Sequence, residues 1–249
     1  MRPHQTIHGQ VLYTSQKPDR LGQERGREQF TITHHGNGSR TLRAHCEIDD
    51  APNVMRDVVI TVDDQWITRE AYVRLSVADK FMGATWYRFE DTFAECEGIL
   101  ADTGRFSDRV EYSKPGDLFG THPIQGDAWH LHSLDLSAGP TVKIFDRFLM
   151  TSLDHRGATG PELVWHDPGM RIEFIGRETL TVEAGTFDAL HFCYGDRSKQ
   201  AMGENGGEHP VYEIWTTADG HYVLLKAHVG GYMQTHYELT NYTFVPAEK

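Results

Sequence analysis

Residues 176–198 read GRETLTVEAGTFDALHFCYGDRS, and residues 211–236 read VYEIWTTADGHYVLLKAHVGGYMQTH. Four alternating runs stand out: Glu178–Val182, Phe187–Tyr194, Val211–Thr217 and Tyr222–His228, with a fifth from Tyr232. The breaks between them are turn chemistry: Ala184-Gly185, the glycine-rich stretch Gly203–Gly207, Asp219-Gly220 and Gly230-Gly231. Asp-Gly between two β-rich runs predicts a tight hairpin, because both central positions accept a positive φ. These runs therefore predict an antiparallel meander.

The same pattern extends toward the N-terminus. Ile7–Tyr13, Glu28–Thr33 and Thr41–Ile48 alternate, with Asn37-Gly38 between the last two. Two further strands are hinged at Asp63-Asp64, and Met82–Glu90, Thr92–Leu100 and Arg105–Ser113 follow. Gly22–Arg27 and Lys114–Gly126 read as loops. Trp129–Leu136 alternates again, Leu163–His166 and Met170–Ile175 lead into the meander, and Val142–Ser152 is open between strand and a short helix or turn. The expectation is all-β: about fourteen short strands in a single antiparallel barrel of lipocalin type or a strongly curved sheet with little helix. No linker divides residues 1–249, so one domain is expected.

Gly176, Glu178-Thr179, the corner Ala184-Gly185-Thr186-Phe187, Trp215 and Asp219-Gly220 together resemble a bacterial family of lipocalin-like barrels, domain of unknown function 3108. The resemblance covers the last third of the chain. It implies a fold and no activity.

The formal charge of −12 disfavours nucleic acid and anionic membrane surfaces as partners. No apolar run reaches the length of a membrane span, and no secretory signal opens the chain. Three widely spaced cysteines, Cys46, Cys96 and Cys193, read as free thiols in a cytoplasmic protein. No phosphate loop, nucleophile elbow or zinc spacing is present, so no cofactor is expected.

Candidate chemistry lies on strand faces. Tyr72 and Arg74 share one face, and Trp86, Arg88 and Glu90 share one on the next strand. Turned inward, the arginines would orient an anionic or phenolic oxygen and Glu90 would move a proton. Turned outward, they form a cross-strand ion pair. His130 and His132, two apart on an expected strand, point the same way and are either acid–base groups, the start of a metal site or two solvated side chains. His45, between Arg43 and Glu47, reads as exterior. His228 and His236 flank the Gly230-Gly231 turn and are expected close in space. Trp129 and Trp215 complete the expected aromatic lining. The leading expectation is a cofactor-independent acid–base enzyme, lyase or isomerase, acting on a small aromatic molecule in a barrel cavity. The alternatives are a lipocalin-like binding protein and a metal-dependent enzyme built on His130 and His132.

Overall fold

The computed structural model describes residues 3–113, 118–167, 169–197 and 210–248. The Gly203–Gly207 turn and the first four residues of the predicted 114–126 loop lie outside them. Eight strands come first: β1 (Gln5–Ser15), β2 (Glu24–His34), β3 (Arg40–Ile48), β4 (Val54–Val62), β5 (Thr68–Val77), β6 (Lys80–Phe89), β7 (Phe93–Leu100) and β8 (Gly104–Glu111). An insertion follows, with β9 (Phe119–Gly120), the helix α1 (Ile124–Trp129) continuing as one 3-10 turn over His130–Ser133, β10 (Thr141–Phe145), β11 (Phe148–Met150) and β12 (Val164–His166). Five strands close the chain: β13 (Met170–Val182), β14 (Gly185–Tyr194), β15 (Tyr212–Thr217), β16 (Leu224–Val229) and β17 (Thr235–Val245).

Fourteen of these strands form one sheet in the order β10-β13-β14-β15-β16-β17-β1-β2-β3-β4-β5-β6-β7-β8. Every neighbouring pair is antiparallel. The N-terminal and C-terminal runs are joined by the seam between β1 and β17. Alternation dictates the two faces: in β4, Val54, Arg56, Val58, Ile60 and Val62 are buried, and the residues between them are half-buried. At the β1–β2 pair, Gly9 lies opposite Phe30, and a Cβ at Gly9 would collide with the Phe30 ring. The missing side chain lets an aromatic lie flat on the inner wall.

The insertion packs on that inner wall. Phe119, Trp129, Leu131, Phe148 and Leu149 join one cluster with Ile7, Ile32, Leu42, Tyr87, Phe192 and Ile214 from the sheet. Its backbone is tied to distant strands: Tyr87 Oη donates to Glu162 O at 2.9 Å, and Tyr194 Oη donates to Asp127 O at 2.6 Å. Tyr87 belongs to β6 and Tyr194 to β14, far apart in the sheet order, so the sheet must curl round the insertion. Burying each large apolar side chain contributes roughly 1.5–3 kcal/mol, which outweighs the desolvation of the few charges carried inside with them.

One open reading is settled and two local expectations change. Val142–Ser152 is mostly strand: β10 pairs with β13, and β11 pairs with β12 and β9. Thr141, Val142, Ile144 and Phe145 take the ladder offered by the edge of β13. Trp129–Ser133, most of the expected strand Trp129–Leu136, is helical instead of extended, because it lies inside the curl with no strand edge beside it, and a helix satisfies its own backbone groups. Gly22–Arg27 is largely strand: Glu24–Arg27 opens β2, where Arg25 and Arg27 reach Glu47 on β3 and Asp49 and Asp50 in the β3–β4 connection.

Candidate functional site

A meander places alternate turns at the same end of the sheet. The β2–β3, β4–β5 and β15–β16 turns therefore meet, and α1 with its 3-10 extension lies beneath them. Asp63 templates the β4–β5 turn: its Oδ1 accepts from Gln65 N and Ile67 N, both at 2.9 Å, and its Oδ2 accepts from Arg69 Nε at 2.8 Å. That turn holds Trp66 at φ 65°, a conformation costly for a bulky residue.

The Trp66 ring is the centre of a box. His132 stacks on it at 5.1 Å with 8° between planes. Arg40 sets its guanidinium 4.0 Å from the ring centroid. Trp129 and Tyr222 meet it edge-on at 5.6 Å and 5.4 Å. Tyr222 is itself held at φ 50°. Gln125 fixes that turn from α1, donating to Tyr222 O and accepting from Leu224 N, each at 2.9 Å. His34 and His221 form the next layer, with ring centroids 4.4 Å apart.

Three buried polar atoms of the box, His34 Nε2, Arg40 Nε and Trp129 Nε1, have no hydrogen-bond partner, and neither has Nδ1 of the neighbouring His130, whose ring turns toward Phe119. Unpaired buried groups are rare and ask for an explanation. Burial, then the neighbouring His221 and Arg40 charges, pushes His34 down to about 4, so its imidazole is neutral at neutral pH. Burial likewise lowers His130 to about 4. Burial lowers the Arg40 pKa and raises that of Tyr222.

A second polar group crosses the inner wall. Glu28 is fully buried. It accepts from Tyr13 Oη at 2.9 Å, Ile124 N at 2.7 Å, Gln125 N at 3.0 Å and Cys46 Sγ at 3.4 Å. It thus caps the first turn of α1. Arg56, also buried, donates to the carbonyls of Arg156 and Gly157. Asp127 is raised to about 8, first by desolvation and then by Glu28, against the pull of Arg56 and a Tyr212 hydrogen bond. The residue keeps part of its surface in solvent, which tempers that shift. These groups tie the insertion to the wall.

The structure brings Trp129 and His132 into the box, and His130 beside it. His130 and His132 do not share a face. The helical turn sends His130 inward, 3.2 Å from Phe119 O, and His132 onto Trp66. That removes the geometry on which the metal alternative depended, and no group of three or more ligand-type residues able to hold a metal occurs among the described residues.

The expected inward site of Arg74, Arg88, Glu90, Tyr72 and Trp86 is corrected. All five point outward, because their alternation partners, Val73, Leu75, Tyr87 and Phe89, fill the core. Arg88 and Glu90 form an exposed ion pair, with side chains 47% and 42% accessible. Trp215 also lies on the outer face, donating to Glu178 Oε1 at 2.7 Å and stacking on His191 at 4.0 Å. His228 and His236 are direct cross-strand partners, as expected, with Glu238 3.2 Å from His236.

Sequence reading missed Trp66, Arg40, His34, His221 and Tyr222. Their signal was position: each sits in or beside a hairpin turn, and the parity of a meander puts those turns at one end.

No family model matches the chain, and no curated protein matches it. Among solved structures, it is similar to a β-barrel-like protein of domain of unknown function DUF1849 from Brucella abortus. The identity is 11%, the likeness covers 99% of each chain, and the TM-score is 0.53. It is also similar to a Bacteroides fragilis protein with YmcC-like fold, at 10% identity over 98% of this chain and 96% of that one, with a TM-score of 0.34. At such identities the first likeness shows a barrel-like fold, and the second adds nothing to it.

Proposed function

We propose that this chain is an acid–base enzyme of lyase or isomerase type acting on a small aromatic molecule, and that its site is the box around Trp66. The observation that carries this reading is the coincidence of two strained aromatic residues, Trp66 and Tyr222, with three unpartnered buried polar atoms, His34 Nε2, Arg40 Nε and Trp129 Nε1. Backbone strain and unpaired polar groups persist where function requires them. In this reading the indole rings and Tyr222 stack against the substrate ring. Arg40 takes a phenolate or carboxylate oxygen. His34, neutral at neutral pH, accepts a proton, and the Tyr222 hydroxyl returns one. Free, buried Cys46, Cys96 and Cys193 support cytoplasmic residence as part of the same proposal. Kinship with the domain of unknown function 3108 barrels rests on Gly176, Glu178-Thr179, the Ala184–Phe187 corner, Trp215 and Asp219-Gly220.

A non-enzymatic binding protein is the second reading. The observation favouring it is that a histidine at about 4 is a weak base at neutral pH. One experiment separates the two. Phenolic aldehydes, ketones and alcohols are incubated with the protein in heavy water, and NMR reads product and solvent deuterium at carbon. Turnover that disappears in His34→Ala and Arg40→Ala supports the enzyme. Quenching of tryptophan emission by 4-hydroxybenzoate without any turnover selects the binding protein, and neither signal sinks both.

A further inference from the structure

The outer face of β1–β5 carries a groove of about 540 Å³. It runs between two levels of the sheet, one from Asn241 to Asp57 and the next from His8 to Tyr72, with Arg74 and Trp86 just beyond its end. Following the register across the strands, Asn241 lies opposite Gln10, Gln10 opposite Gln29, Gln29 opposite His45, His45 opposite Asp57 and Asp57 opposite Arg74. Six polar side chains on six adjacent strands thus form one straight rung. Three are carboxamides. His45 Nδ1 and Asp57 Oδ1 are 2.7 Å apart, and Arg74 stands 3.9 Å from Asp57. The next level ends in an aromatic pair, Tyr72 opposite Trp86, each 39% exposed.

We propose that this groove binds a linear, uncharged oligosaccharide lying across the strands. Carboxamides, a paired carboxylate and an imidazole present planar donors and acceptors that match vicinal hydroxyl groups. Tyr72 and Trp86 offer rings whose faces suit the C–H side of a pyranose and whose polar tips stay wet. The spacing fits as well: adjacent strands are about 4.8 Å apart, close to the length of one sugar unit, so successive side chains meet successive units. Asn in mid-strand is poor β chemistry, and two half-exposed aromatics side by side do nothing for solubility. Both make sense on a recognition surface.

The test is calorimetric titration of the whole protein with cellohexaose, xylohexaose, mannohexaose and chitohexaose, and with polygalacturonate as the charged comparison. One neutral hexaose is expected to bind, and Gln29→Ala and Tyr72→Ala each to weaken it roughly tenfold or more. Trp215→Ala, on another part of the outer face, and Trp66→Gly, in the box, should leave it unchanged. Circular dichroism checks that the outward-facing variants fold. No heat from any neutral hexaose, binding that survives both groove variants, or binding of polygalacturonate alone would each overturn the assignment. The proposal is independent of the box, so either can fail without the other.

Discussion

Two polar clusters lie inside the curl, and they differ in one respect. Glu28 is surrounded by donors, and each of its hydrogen bonds ties the insertion or a neighbouring strand to β2. The box around Trp66 holds strained backbone and several atoms with no partner. A satisfied buried network specifies a structure, whereas strain and unpaired polar groups cost stability and gather at functional sites. On the proposed reading, the first cluster anchors the insertion and the second binds the ligand.

The sharpest way to break that division is at Glu28. Glu28→Ala strands the Tyr13 hydroxyl and the amides of Ile124 and Gln125 in the core. It also removes a buried carboxylate whose charge favours the Arg56 cation. Removing one side of such a network costs about 3–5 kcal/mol. A chemical denaturation midpoint should fall accordingly, with Glu28→Gln in between. A loss under about 1 kcal/mol, the worth of an exposed pair, would mean that the insertion is held by apolar packing alone.

Trp66→Gly tests the other side. It removes the stacking surface but relieves a positive φ, a strain of roughly 1–3 kcal/mol. The two effects oppose each other, so stability should move by less than about 1 kcal/mol. Tryptophan-quenching titration with 4-hydroxybenzoate should weaken by roughly tenfold or more. A large loss of stability with unchanged binding would reverse the roles of the clusters.

Titration separates the clusters without mutation. Asp127 is about 8 in the folded chain and near 3.8 when unfolded, so folding holds a proton that unfolding releases. Its contribution is present below the unfolded value and declines as pH rises toward 8. His34 and His130 behave in the opposite way, both at about 4 against 6.5. Their contribution is present above 6.5 and is lost as pH falls below it. Stability should therefore peak near pH 6.5 and decline toward 8, by less than about 1.4 kcal/mol per unit because Asp127 keeps some solvent contact. In Asp127→Asn the decline above 6.5 should flatten. A decline that persists unchanged would remove Asp127 as its source.

The sheet was legible because its signals are local. Alternation, Asn37-Gly38 and Asp219-Gly220 act within a few residues, and the strands they delimit are where they were expected. Trp129–Leu136 was not legible, because alternation in eight residues cannot report that no strand edge lies beside them. The two faces were not legible either. Tyr72-Val73-Arg74-Leu75 reads identically with either face inward, and the choice is made by volume: Val73 and Leu75 fit the core beside Tyr87 and Phe89. The box needed long-range knowledge, since His34, Trp66, His132 and Tyr222 come from four separate segments. Only the parity of the turns links them in advance.

The smallest expected effect concerns the residues that looked most like a site. Arg88 and Glu90 pair on the outer face, 2.6 Å apart at closest approach, with Glu95 a further 3.7 Å from Arg88. Both carriers are exposed, so water screens the attraction and the long side chains lose rotamer freedom to hold it. Double-mutant cycles on exposed pairs give about 0.2–1 kcal/mol. Arg88→Ala and Glu90→Gln should each shift the denaturation midpoint by no more than that. The coupling between them should fade as salt is raised toward 1 M, where the Debye length is about 3 Å. Neither variant should change ligand quenching or turnover at the Trp66 box. If Glu90→Gln abolished turnover while leaving stability intact, chemistry would have to be sought on the outer face of β6, and the division between an anchoring core and a recognising mouth would fail with it.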